Sequence, residues 1–286
     1  CSIKGYLTGP YSKRTLMDEP GQMASGLAYM TGLPDRPLRA GASVVDMGAA
    51  TYAVIGVMAA LLTREKTGKG QHITGGLFET ALFYVGQHMS NSQLSGEAPV
   101  PMSTARSAKG GRTAIYDLFK CKGGKQVFIG IMSDPQWPRA CAALGLDDLA
   151  ADPALKLNGG RGAQRDMLMA RIGKAVADRE AEDVVDALVQ AGVTVAPLNT
   201  PVTVLEDRHV KSEGRMLPAE IGGKAGRLPP LPFESSNYKF ELRQHAPADT
   251  GRDTGEILRE LGYSADEVDE LARKGLVRGP GLAGAV

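Results

Sequence analysis

From Ala40 to Leu62 the chain is almost unbroken in small and apolar residues, then turns polar at Thr63-Arg64-Glu65-Lys66-Thr67-Gly68-Lys69-Gly70-Gln71. The run is at the short limit for a bilayer span, carries a carboxylate at Asp46 and is rich in Gly and Ala. Those features predict a buried core helix instead. Glycine beside cations at Thr67-Gly68-Lys69-Gly70 reads as the stop of that helix. Upstream, Gly21–Met30 reads as a small-residue helix ending at Thr31-Gly32, followed by the loop Leu33–Pro37. Downstream, a short strand over Gln71–Gly75 leads into a helix from Leu77 to about Asn91.

Gly, Pro, Ser, Thr and Lys then dominate from Gly96 to Gly111, a linker or active-site loop. Thr113–Lys120 and Gln126–Met132 read as a hairpin joined through Gly123-Gly124. Helices are expected near Pro135–Leu144, Arg161–Ala177 and Ala181–Ala191, with a strand at Val193–Pro197. Leu228-Pro229-Pro230-Leu231-Pro232 reads as a rigid extended return toward the first unit. Thr254–Leu261 and Ser264–Lys274 form a helical hairpin, with Gly262 as a stop and Ser264 as a cap. The pattern is α/β with a small α+β insertion.

At 286 residues the chain is long enough for two structural units. Thirty-three basic against 32 acidic residues leave no basic field for nucleic acid or an anionic membrane. Cys1, Cys121 and Cys141 form neither a metal-ligand spacing nor an even disulfide framework. A reducing, cytoplasmic setting is therefore expected. The four histidines are scattered, and no metal site is expected. Gly68-x-Gly70 runs from helix to strand, the reverse of a dinucleotide loop. The opening Cys1-Ser2-Ile3-Lys4-Gly5-Tyr6 reads as a strand end entering a loop, with no signal-peptide pattern.

Asp46 is the one charge in its apolar run, and a buried carboxylate must be paired, hydrogen-bonded or used. In the first helical turn it is either a cap or a poorly hydrated nucleophile. The expectation is that Val44, Val45, Met47 and Ala49 desolvate it while free helix N–H groups keep it ionised. Asp18, ahead of the Gly21–Met30 helix, reads from its position as that helix's cap. Gln22 is expected to satisfy a buried backbone group. Lys13 and Arg14 read as a solvated loop.

Several strings in order resemble the class III (CaiB/BaiF) CoA-transferases, the family of formyl-CoA transferase and carnitine CoA-transferase. They are Ser2-Ile3-Lys4-Gly5-Tyr6 with Gly9-Pro10-Tyr11, and Asp18 with Gln22, Gly26-Leu27 and Thr31-Gly32. Val45-Asp46 followed by Gly56-Val57-Met58-Ala59-Ala60-Leu61-Leu62-Thr63-Arg64-Glu65-Lys66-Thr67-Gly68-Lys69-Gly70-Gln71 carries the resemblance further. Gly192–Leu198 and Leu261-Gly262-Tyr263-Ser264 extend it over essentially the whole chain.

The resemblance implies a family III fold. It places the remainder of a large Rossmann-like domain at 1–100, a small α+β domain at 101–205 and a C-terminal return at 206–286. Family members carry a further N-terminal portion of roughly a hundred residues, and the chain is expected to start just after it. An interlocked homodimer is implied, and acyl-CoA and a small carboxylic acid are the implied substrates. Asp46 takes the nucleophile position, and Asp18 matches a second acidic position near the reacting centre in some transferases. Thr15, Leu16, Met17 and Asp18 fall where relatives contact coenzyme A, and Gly110 and Gly111 stand in for a shortened glycine loop. An α-methylacyl-CoA racemase is the alternative, ranked below transfer because Met17 stands where that branch has a His and one of its two bases is therefore missing; an inactive dimerisation scaffold is the third reading.

Overall fold

The protein is described from a computed structural model covering residues 1–105, 113–238, 241–242 and 250–282. Two compact units emerge, Cys1–Leu198 and Asn199–Val286. The expected boundary at 205 therefore falls inside the second unit. The one at 100 lies inside the first unit, and Ser103 Oγ donates across it to the Gly32 carbonyl.

In the first unit, β1 (Ser2–Lys4) is followed by α1 (Asp18–Ser25), α2 (Leu27–Thr31) and α3 (Val44–Thr67), then β2 (Thr74–Gly76) and α4 (Leu77–Ser95). β1 and β2 pair in parallel with Ser2 opposite Thr74, which is why a long helical crossover separates them. The single helix expected at Gly21–Met30 is two, because Gly26 adopts φ +87° and stops α1. α3 ends at Gly68, φ +69°, as its sequence predicts. Val45, Ala49, Leu77 and Ala81 form a small core here, with Leu16, Leu27 and Val44 packed on it. Gly48 lets α4 close on α3: a Cβ there would lie 1.8 Å from the Tyr84 hydroxyl oxygen.

The expectation that the apolar run is a buried helix is corrected. Only Val45, Gly48, Ala49 and Ala53 of α3 are buried. Val54, Ile55, Met58 and Leu62 are each more than half exposed. α1, α4 and the β1–β2 pair lie against α3, and they do not reach these faces. Among the described residues α3 is the one helix long and apolar enough to cross a membrane.

After α5 (Met102–Ala105), the rest of the unit forms a second, larger core. β3 (Tyr116–Lys120), β4 (Gln126–Gly130) and β5 (Thr194–Pro197) make an antiparallel sheet in that order. The β3–β4 hairpin turns through Gly123 and Gly124, both with positive φ. Five helices follow in this layer, α6 (Gln136–Leu144), α7 (Asp147–Ala151), α8 (Asn158–Ala163), α9 (Arg165–Ala177) and α10 (Ala181–Gln190); α9 and α10 pack on the sheet, α6 packs on both of them, α7 on α6, and α8 on α9. The expected Arg161–Ala177 helix is divided between α8 and α9. Arg161 is buried here and donates to the Leu155 and Lys156 carbonyls at 2.9 Å and to Asp134 at 2.5 Å. Its guanidinium lies 5.4 Å from the Trp137 ring centroid.

In the second unit β6 (Leu217–Ile221) and β7 (Lys224–Leu228) form a hairpin that the sequence reading missed. α11 (Thr254–Glu260) and α12 (Ala265–Arg273) follow, the latter with a capping box between Ser264 and Glu267.

Candidate active site

A helix start leaves four backbone N–H groups without intrahelical partners, and α3 accounts for its own in an unexpected way. Val44 N–H donates to the Ala42 carbonyl and Met47 N–H to that of Ser43. Val45 and Asp46 N–H both donate to Asp18 Oδ2, at 2.8 and 3.3 Å. Ser43 stands at the N-cap position and makes no side-chain cap. The cap of α3 is therefore Asp18, supplied by a different helix.

This corrects two expectations. Asp18 does not cap its own helix: it is the first residue of α1, and Met17 occupies the N-cap position. Asp46 is neither desolvated nor held by helix N–H groups. Its side chain is exposed, as is Met47, and the N–H groups nearest it are taken by Asp18. The physical reason is the helix period. Val45 and Ala49 turn toward α1, α4 and the strands, while Asp46 stands on the next face around. No described residue bonds or pairs with its carboxylate.

Asp18 is buried and Gln22 fully so. One turn apart on α1, they share a face. Gln22 Nε2 donates to Asp18 Oδ1 at 2.6 Å, and Gln22 Oε1 accepts from Ala40 N–H at 2.8 Å. Gln22 thus satisfies a buried backbone group, as its position in the sequence predicts.

The segment Thr15–Met17 has mixed roles. Leu16 packs on the small core and approaches Gly5 closely, since a Cβ on Gly5 would lie 2.7 Å from Leu16 Cβ. Thr15 and Met17 are exposed. Arg14 is exposed, as a solvated loop predicts, and its guanidinium carbon lies 3.8 Å from the centroid of the Tyr11 ring. Tyr11 in turn meets Tyr6 edge-on at 5.5 Å. Gly110 and Gly111 lie outside the described residues.

Sequence reasoning passed over Glu79. Its Oε1 accepts from Leu7 N–H at 3.1 Å, pinning the loop after β1, while its Oε2 is buried without a partner. The available signal was a carboxylate one turn into an apolar helix directly after Gly75-Gly76. A cavity of about 600 Å³ opens beside α3, lined by Leu27, Val44, Met47, Thr51, Tyr52 and Tyr84. Burial, then the neighbouring Tyr52, raises the pKa of Tyr84. Val44 and Met47, on either side of Asp46 in the sequence, line this cavity, and Asp46 itself does not. Among the described residues no three or more His, Cys, Asp or Glu side chains gather into a metal site.

The sequence pattern of CoA-transferase family III matches residues 1–254. The chain belongs to that family. It is 30% identical over 220 residues to an acetyl-CoA:oxalate CoA-transferase of Acetobacter aceti, covering 74% of this chain and 55% of that protein. It is 28% identical over 287 residues to the human succinyl-CoA:glutarate CoA-transferase, covering 97% and 63%. A crystal structure of a CaiB/BaiF family protein from Brucella suis superposes with a TM-score of 0.76 at 29% identity, covering 91% of this chain and 67% of that one. The mixed helix-and-strand family fold implied by the sequence strings is therefore the fold of this chain. The chain spans about 55% to 63% of the length of these two curated relatives.

Proposed function

We propose that the protein is a CoA-transferase moving CoA from an acyl-CoA donor to a small carboxylic acid, with Asp46 as the nucleophile. The observation that carries this is the occupied helix start. Because Asp18 satisfies the N–H groups of Val45 and Asp46, the Asp46 carboxylate is not needed as a cap. Among the described residues it is left as an unpartnered carboxylate on the first turn of α3. Membership of CoA-transferase family III supports reading that carboxylate as the nucleophile.

The chemistry balances without any redox step. Asp46 attacks the donor thioester carbonyl, the C–S bond breaks, and CoA thiolate leaves a mixed anhydride. The thiolate then attacks the aspartyl carbonyl, releasing the donor acid and forming an aspartyl-CoA thioester. The acceptor carboxylate attacks that thioester and displaces CoA thiolate. The thiolate finally attacks the acceptor's carbonyl, giving the new acyl-CoA and the free Asp46 carboxylate. The anhydride is at least as strong an acyl donor as the thioester, so the group-transfer potential is retained at each covalent step. Asp46 is exposed in this chain, and a bound substrate would displace water from around its carboxylate. Relatives named for oxalate and for succinate and glutarate support a short dicarboxylic acid as one of the pair.

Asp46→Asn in the full-length protein tests this. Asn keeps the size and is a very poor nucleophile, so turnover should fall by several orders of magnitude with the fold intact. Hydroxylamine added with acyl-CoA should trap an Asp46 hydroxamate in the wild type alone. Substantial turnover by a folded, undeamidated Asp46→Asn protein would sink the assignment, and absence of any hydroxamate across a donor panel would favour an inactive scaffold.

A further inference from the structure

Asp46 enters α3 from Gly41-Ala42-Ser43, a loop of small residues in which Ser43 makes no side-chain cap. Something outside the loop must hold it. Ala40 N–H at its start is held by Gln22 Oε1 at 2.8 Å, and Val45 and Asp46 N–H at its end are held by Asp18 Oδ2. Gln22 Nε2, donating to Asp18 Oδ1 at 2.6 Å, joins the two anchors. One fully buried amide therefore connects both ends of the segment that delivers Asp46.

We propose that Gln22 is a positioning residue for the transfer reaction. Its amide selects the orientation of the Asp18 carboxylate and, through it, the place of the Asp46 backbone. Gln22 touches no reacting atom. Without its donor, the Asp18 carboxylate is free to turn about its side chain, and the Val45 and Asp46 N–H groups lose a fixed acceptor. The inference rests on the reading of Asp46 as nucleophile.

Gln22→Glu and Gln22→Met in the full-length protein provide the test. Glu keeps the size and the acceptor for Ala40 while setting a second carboxylate against Asp18. Met keeps the volume and removes both polar ends. Folding is checked by the fluorescence of Trp137, which lies in the other core. A displacement of the nucleophile by a fraction of an ångström to one ångström should lower kcat by about tenfold to a hundredfold. KM for acyl-CoA should stay within about twofold, because substrate contacts are untouched. Amide hydrogen exchange at Val45 and Asp46 should speed up in both variants while the β3–β5 amides stay unchanged. A folded variant with wild-type kcat, a loss confined to KM, or unaltered exchange at those two amides would overturn the proposal. The exchange measurement needs no turnover. It therefore still reads the tether if Asp46→Asn proves active and the nucleophile assignment itself fails.

Discussion

Two layers of the same unit treat their apolar residues differently. The layer on β3–β5 encloses Trp137, Leu155, Leu168 and Leu188 at 2% exposure or less. α3 leaves Val54 at 58%, Ile55 at 56% and Leu62 at 67%. In the first layer, helices close over the sheet and each apolar side chain meets partners on several sides. In the second, α3 is covered along one stripe. A helix held along one stripe draws less from burial, and its first turn is held both by Val45 in the small core and by the polar anchors Asp18 and Gln22.

The largest effect that tests this comparison is expected in the β3–β5 layer. Leu155→Ala removes a fully buried side chain and should cost about 2–5 kcal/mol. Trp137 is the chain's single tryptophan and is buried beside this core, so its fluorescence in urea reports the loss directly. A shift worth under about 1 kcal/mol would show the layer to be looser than its burial indicates.

A pH effect comes next. Burial, then the nearby Asp147 and Asp148, raises the Cys141 thiol from 9.0 to about 12. Between those values the unfolded thiol has lost its proton and the folded one keeps it. The unfolded state binds fewer protons there, so stability falls as pH rises through that window. Cys141→Ala should flatten that slope in urea titrations taken from neutral to alkaline pH. Thiol reagents at mildly alkaline pH should label the exposed Cys1 and spare Cys141. An unchanged slope, or fast labelling of Cys141, would contradict the closed core.

The smallest effect is expected on α3. Ile55→Ser replaces a side chain that is 56% exposed and should move the Trp137 transition by no more than about 0.5 kcal/mol. A loss comparable to that of Leu155→Ala would mean that the outer face of α3 is covered in solution, and the contrast between the layers would disappear.

Much of this architecture was legible. The length of the apolar run and its Gly68 stop located α3, and Gly123-Gly124 between strand-like runs located the β3–β4 hairpin. Other elements were not. Gly26 was read as one more small residue of a helix, when its backbone ends α1. Gly222-Gly223, at φ +56° and +75°, turns the β6–β7 hairpin, but Pro218 and the short flanking runs hid the strand pattern. In the site, Asp46 stood out because it is a lone carboxylate in an apolar run, and Gln22 because a Gln among small helical residues must find partners. Asp18 was placed among the acidic groups that matter, yet its role was missed, since its partners are 27 and 28 residues away.

The linear chain by itself located most of the helices and strands of the first unit, because those choices rest on periodicity, glycine stops and caps within a few residues of each other. It also determined the family, through an ordered set of short strings. Which N–H groups Asp18 would satisfy, whether Asp46 would be buried or bare, and which face of α3 would be covered were decided by tertiary structure. Each depends on how one helix is rotated against another, and a single step around a helix, 100° per residue, separates a core position from an exposed one.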